Sequence, residues 1–117
     1  MRDLAERQSR YLRDELPVRL GNLASNLAHI SSFAKGAKNP NAVERLLDES
    51  RFFIEWTAAE TELDTAAELV EIQVQLSWWY HHWKDEQTNP LQLARIMQQS
   101  RVWSDRVLDL SGLLLTA

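Results

Sequence analysis

Leu16, Leu20, Leu23, Leu27, Ile30 and Ala34 advance along the chain by 4-3-4-3-4. That spacing gathers six apolar side chains into one stripe of an α-helix; on a strand, where side chains alternate, it would scatter them over both faces. A striped helix has to bury its stripe against neighbours, so the rest of the chain must supply them. Three Gly and three Pro in 117 residues leave little material for hairpin turns, which points to more helices.

The pattern supplies four helices. The first seam fits a helix capped by Asp14, with Pro17 tolerated in its first turn and Gly36 in the run KGAKNPN ending it. Residues 1–13 are then a kinked extension or a short separate helix. Asn39-Pro40 opens a second helix with a capping Asn and Pro at the first helical position. Its seam is Val43, Leu47, Ser50 and Ile54, with Leu46 and Phe53 alongside. A third begins near Thr57/Glu60 or Thr61/Asp64, both capping-box spacings, and runs to about Lys84. Its apolar residues, from Leu63, Leu69, Val70, Ile72 and Val74 to Leu76, Trp79, Tyr80 and Trp83, sweep over half the circumference, as in a helix touching two or three neighbours. Asn89-Pro90 opens a fourth, with Leu93, Ile96/Met97, Ser100, Trp103, Val107, Leu110 and Leu114 inward, and the terminal LSGLLLTA reads as further packing.

The second and fourth helices echo each other. NPNAVERLLDESRFFIEW (39–56) and NPLQLARIMQQSRVWSDR (89–106) share Asn, Pro, Arg, Ser and Arg at identical offsets. Asn-Pro openings and Arg-to-acid pairs are common helix grammar, whereas Ser50 and Ser100 at one seam position are not. The echo leaves duplication of a unit of about 50 residues and convergence both open. Either way the expected architecture is one all-α domain over residues 1–117, an up-down four-helix bundle of two αα-hairpins.

Charge excludes several roles. The net charge is −4, with nine acidic groups against two Arg in residues 41–71. The five Arg of residues 1–19 are interleaved with Asp3, Glu6, Asp14 and Glu15, and Asp3–Arg7, Glu6–Arg10 and Arg10–Asp14 are i,i+4 pairs. No clustered basic footprint for nucleic acid remains. A start of MRDLAERQSRYLRDEL is too polar for a signal peptide, and no apolar run nears the ~18 residues of a membrane span. The expectation is a cytoplasmic protein that binds neither membrane nor nucleic acid.

Catalytic patterns are missing too. Zero Cys removes thiolate chemistry and Cys-based zinc sites, and there is no phosphate loop or His-Glu-x-x-His. In WWYHHW (78–83), His81/Asp85 and His82/Glu86 are i,i+4 pairs, but a carboxylate di-metal site needs Glu-x-x-His twice, and Asn26, Trp78 and Trp79 stand in the Glu places. His81 falls on the apolar arc and reads as a core histidine, His82 on the polar face. No enzyme, cofactor or metal is expected. The stretch NLAHISSFAKG around His29 is faintly similar, over about ten residues, to four-helix histidine phosphotransfer domains. It departs where Ser32 and Phe33 take the expected Lys and Gly places. That similarity implies an alternative role as a phosphorelay module phosphorylated on His29.

Phe52 and Trp56 are i,i+4 neighbours lying away from the second helix's seam, on the side of Arg45, and Trp78 borders the polar face of the third. Aromatic residues beside Arg are the composition of an interface hot spot. Phe52, Trp56, Trp78 and Arg45 are therefore the expected interaction patch, unless residues 1–13 fold back over it with Leu4, Tyr11 and Leu12. The expected role is a small non-catalytic interaction or regulatory module, with a protein partner or a second copy completing a dimer. The acidic stretch 55–71 would suit a partner with a basic rim.

Overall fold

The computed structural model describes residues 2–35 and 39–115. Among them the chain forms α1 (Arg2–Leu12), α2 (Leu16–Ala34), α3 (Pro40–Thr57), α4 (Leu63–His81), the single turn α5 (Trp83–Glu86) and α6 (Pro90–Ser111). Two 3-10 turns, Ala58–Glu60 and Leu113–Leu115, follow α3 and α6, and no described residue is in a strand.

Both Asn-Pro openings cap as expected. Asn39 Oδ1 accepts from the Ala42 amide, and Asn89 Oδ1 from those of Leu91 and Gln92. At the far end of α6, Gly112 takes the left-handed conformation (φ 77°) that Cβ disfavours in other residues. Three expected caps are absent. The N-cap of α2 is Glu15, with no side-chain bond, while Asp14 accepts from Arg19 and Asn22 instead. Neither capping box forms, and α4 begins only at Leu63. Thr57 donates to Tyr11 Oη, Glu60 binds Arg19, and Thr61 donates to the Ala58 carbonyl. In the first two cases a long-range partner wins over the local bond. The expected stop at Gly36 lies outside the described residues.

The long helices lie in the order α4, α3, α2, α6. Ser31 Oγ donates to the Met97 carbonyl and Ser104 Oγ to that of Ala24, each at 2.7 Å, so α2 and α6 run antiparallel at close range. Asn26–Glu49 and Arg19–Glu60 fix the same sense for α2 and α3. Leu20, Leu23, Leu27, Ile30 and Ala34 are all buried, together with Val43, Leu47, Ile54, Leu69, Ile72, Leu76, Ile96 and Val107. Leu114, expected inward, is exposed, because the chain turns at Gly112. Leu113 instead reaches α2, where a Cβ on Gly21 would come within 2.8 Å of it.

Ser50 and Ser100 are fully buried, and their hydroxyls have no partner. An unpaired buried hydroxyl forfeits its water bonds at a cost of about 1–3 kcal/mol. Ser50→Ala and Ser100→Ala are each expected to raise the urea midpoint without changing its slope. A lowered midpoint in either would mean that the hydroxyl has a partner in solution.

Helix α1 is separate from α2 and folds back across α3. Tyr11 is its anchor, 5% exposed, with its ring stacked 3.9 Å from that of Phe53 and tilted against that of Trp56, 5.9 Å away. Its hydroxyl donates to the Arg19 carbonyl and accepts from Thr57. Burial raises its pKa from 10.0 to about 12. Leu4 is half-buried, and Leu12, expected to help in the covering, is exposed.

Candidate functional site

The expected patch residues fall in three places. Phe52 and Trp56 stack 5.6 Å apart on α3, half-buried, with Tyr11 against Trp56 and the Arg51 guanidinium 4.6 Å from the Phe52 ring centre. Arg51 also sits 4.7 Å from the ring of Tyr80, clamping α4 to this side of α3. Arg45 is exposed near α1, in a cleft of about 470 Å³ whose other walls include Asp3, Arg7, His29, Asp48 and Glu49. Trp78 lies on α4, 48% exposed, in a larger cleft between α4 and α6.

That larger cleft exists because α4 and α6 meet only through long side chains. The rings of Trp79 and Trp103 are 5.4 Å apart, and Arg106 grips both oxygens of Glu68 at 2.7 and 2.8 Å. The Arg106 bonds hold the Glu68 carboxyl below its usual pKa, as the Arg19 bonds do for Glu60. Beside these links the surface opens into a volume of about 700 Å³ lined by Val74, Trp78, Val102, Trp103, Arg95 and the amides of Gln75, Gln92, Gln98 and Gln99. Arg95, the echo of Arg45, thus lines this cleft as Arg45 lines the smaller one.

The outward face of α4 is apolar as well. Its inner seam, Leu69, Ile72, Leu76 and Trp79, is buried. On the opposite side, Leu63, Ala67, Val70, Val74 and Trp78 recur at 4-3-4-4 and are all exposed, Leu63 by 85% and Val74 by 64%. The wide arc expected to touch several neighbours is therefore two stripes, one of them uncovered in the single chain. Leu63, Val70 and Val74 do not enter the core. His81 lies on the same outer side and is exposed, which corrects its reading as a core histidine. The outer 4-3-4 spacing was present in the sequence; only its separation from the inner stripe was missed.

His82 stacks on Trp78 with ring centres 4.0 Å apart, its Nδ1 2.8 Å from the Trp78 carbonyl. His29 is exposed beside Phe33. Among the described residues, no three His, Asp or Glu side chains gather in a metal-binding group, and no helix is long and apolar enough to cross a membrane. Compared with known proteins, the chain matches no family, no curated protein and no solved structure.

Proposed function

We propose that the chain is a non-catalytic helical interaction module, an up-down four-helix bundle of two hairpins that binds protein through the outer face of α4 and the adjoining cleft. The observation that carries this is the second apolar stripe. A helix apolar on two opposite faces is normally buried on both, and exposed apolar groups of this size signal a covered surface. Trp78 is its aromatic anchor, while Trp56 packs against Tyr11 of α1 and Phe52 against Trp56 and Arg51 of its own helix. The test is photo-cross-linking inside the native host from a photoreactive residue at position 74, where the side chain is exposed and substitution leaves the core intact. A covalent adduct with a protein is expected at position 74, and none from an exposed polar control position such as Glu44. A host in which position 74 yields no adduct overturns the reading.

A second reading has one observation in its favour. His29 is exposed in the cleft that Arg7 and Arg45 line together with Asp3, Asp48 and Glu49, and guanidinium groups sharing a cleft with an accessible imidazole can receive a phosphorylated histidine. Phosphorelay use predicts acid-labile phosphate on His29 after incubation with acetyl phosphate, lost in His29→Gln. Unlabelled wild-type protein excludes that use with this donor.

A further inference from the structure

Resting on the interaction reading, we infer that the occupant of the outer α4 face is a second copy of the chain, its α4 packed antiparallel across a two-fold axis. A two-fold interface must be self-complementary: whatever residue i meets on the partner must in turn meet residue i. Written as heptads, the outer stripe is Leu63, Ala67, Val70, Val74, Ser77 and His81, spaced 4-3-4-3-4. An antiparallel coiled coil pairs its two heptad positions with each other. Centred on the stripe, that register sets Val70 against Val74 of the second copy, Ala67 against Ser77, and Leu63 against His81. Each pairing occurs twice, by symmetry. The central layers are β-branched and apolar, and the flanking layers are small, so the helices can come close along most of α4, about 28 Å for its 19 residues.

Charge selects this sense over the parallel one. The N-terminal end of α4 carries exposed Glu62 and Asp64, and the C-terminal end carries exposed His82 and Lys84, with Asp85 beside them. Antiparallel pairing brings the end carrying Glu62 and Asp64 beside the end carrying Lys84 of the second copy, at both ends of the interface. Parallel pairing would instead bring the two acidic N-terminal ends, each with Glu62 and Asp64, together. In the antiparallel dimer Glu71 alone faces itself, beside the axis, so neutralising it is expected to tighten the pair. The Trp78 indoles flank the central layers, each at the mouth of its own α4–α6 cleft.

The experiment uses the full chain. Light scattering over a dilution series is expected to show a dimer. Val70→Asp with Val74→Asp should raise its dissociation constant about 100-fold or more, since four carboxylates would enter the seam. Glu71→Gln should lower the constant. Because the chain has no Cys, Leu63→Cys and His81→Cys proteins can then be treated with a short bis-maleimide. Mixed, they are expected to cross-link; separately, neither should. Cross-linking of either protein alone as efficiently as the mixture overturns the antiparallel register. A monomer at every concentration, or a dimer indifferent to the Val substitutions, overturns the second copy as occupant. The interaction reading is judged apart: an in-cell adduct at position 74 with a different protein preserves it, while no adduct removes both.

Discussion

Tyr11→Ala is expected to release α1 from α3 and to lower stability by about 3–5 kcal/mol, the usual range for truncating a buried aromatic residue. The ring is the main apolar group of α1 that reaches the interior, and it sits directly on Phe53. Its loss should uncover Phe53 and Trp56 together, read as new binding of a hydrophobic dye and as fast amide exchange over residues 2–12. Tyr11→Phe separates the ring from the hydroxyl. It keeps the stacking and removes the bonds to Arg19 and Thr57, at about 1–2 kcal/mol.

The same pair of variants sets an alkaline signature. The folded chain holds the phenol neutral to about 12, against 10.0 when unfolded. A pKa raised by folding gives stability that is complete below pH 10 and lost as pH rises towards 12. The gap corresponds to roughly 2–3 kcal/mol. Wild-type protein should therefore lose stability in that window more steeply than Tyr11→Phe. Parallel curves for the two proteins would show that the phenol ionises as freely folded as unfolded.

Trp83→Ala is expected to cost a further, independent 3–5 kcal/mol. After α4 breaks at His82, Trp83 turns inward, 2% exposed, among Phe33, Pro40, Val43 and Leu93, and donates its indole N–H to the Pro40 carbonyl. It seals the end at which α2, α3 and α6 converge. Trp83→Phe should recover most of the apolar burial and leave only the loss of that hydrogen bond, about 1 kcal/mol. Equal melting temperatures for the Ala and Phe variants would refute this assignment. Trp83 sits on Pro40 at one end of α3 and Tyr11 on Phe53 near the other, roughly 20 Å away at 1.5 Å per residue, so the double variant should show additive losses.

Much of this fold could be read from spacing. The 4-3-4-3-4 stripe of α2 and the two Asn-Pro caps depend on residues within one or two turns of each other, and local geometry decides them. What escaped was decided at long range. Asp14, Thr57 and Glu60 have good capping chemistry, yet Arg19, Asn22 and Tyr11 claim their polar atoms once the tertiary structure forms. Whether α1 would lie over Phe53 depends on the direction in which the chain leaves Leu12, and periodicity carries no such information. The outer stripe of α4 was visible as apolar residues, but a helical wheel does not say which arc a neighbour covers. The interaction patch was therefore drawn across residues that three different surroundings divide.

The helix order α4, α3, α2, α6 also bears on how the chain finds its fold. The first two junctions join helices adjacent in sequence, so they form by closing short loops. Docking α6 on α2 is different, because it brings Ser104 to Ala24 across 80 residues. That closure has the largest chain entropy to overcome, and contacts of such separation slow folding. The slow phase of refolding should thus track α6, and an α2–α3–α4 intermediate would accumulate ahead of it with the Ala24 and Ser31 side of α2 still wet.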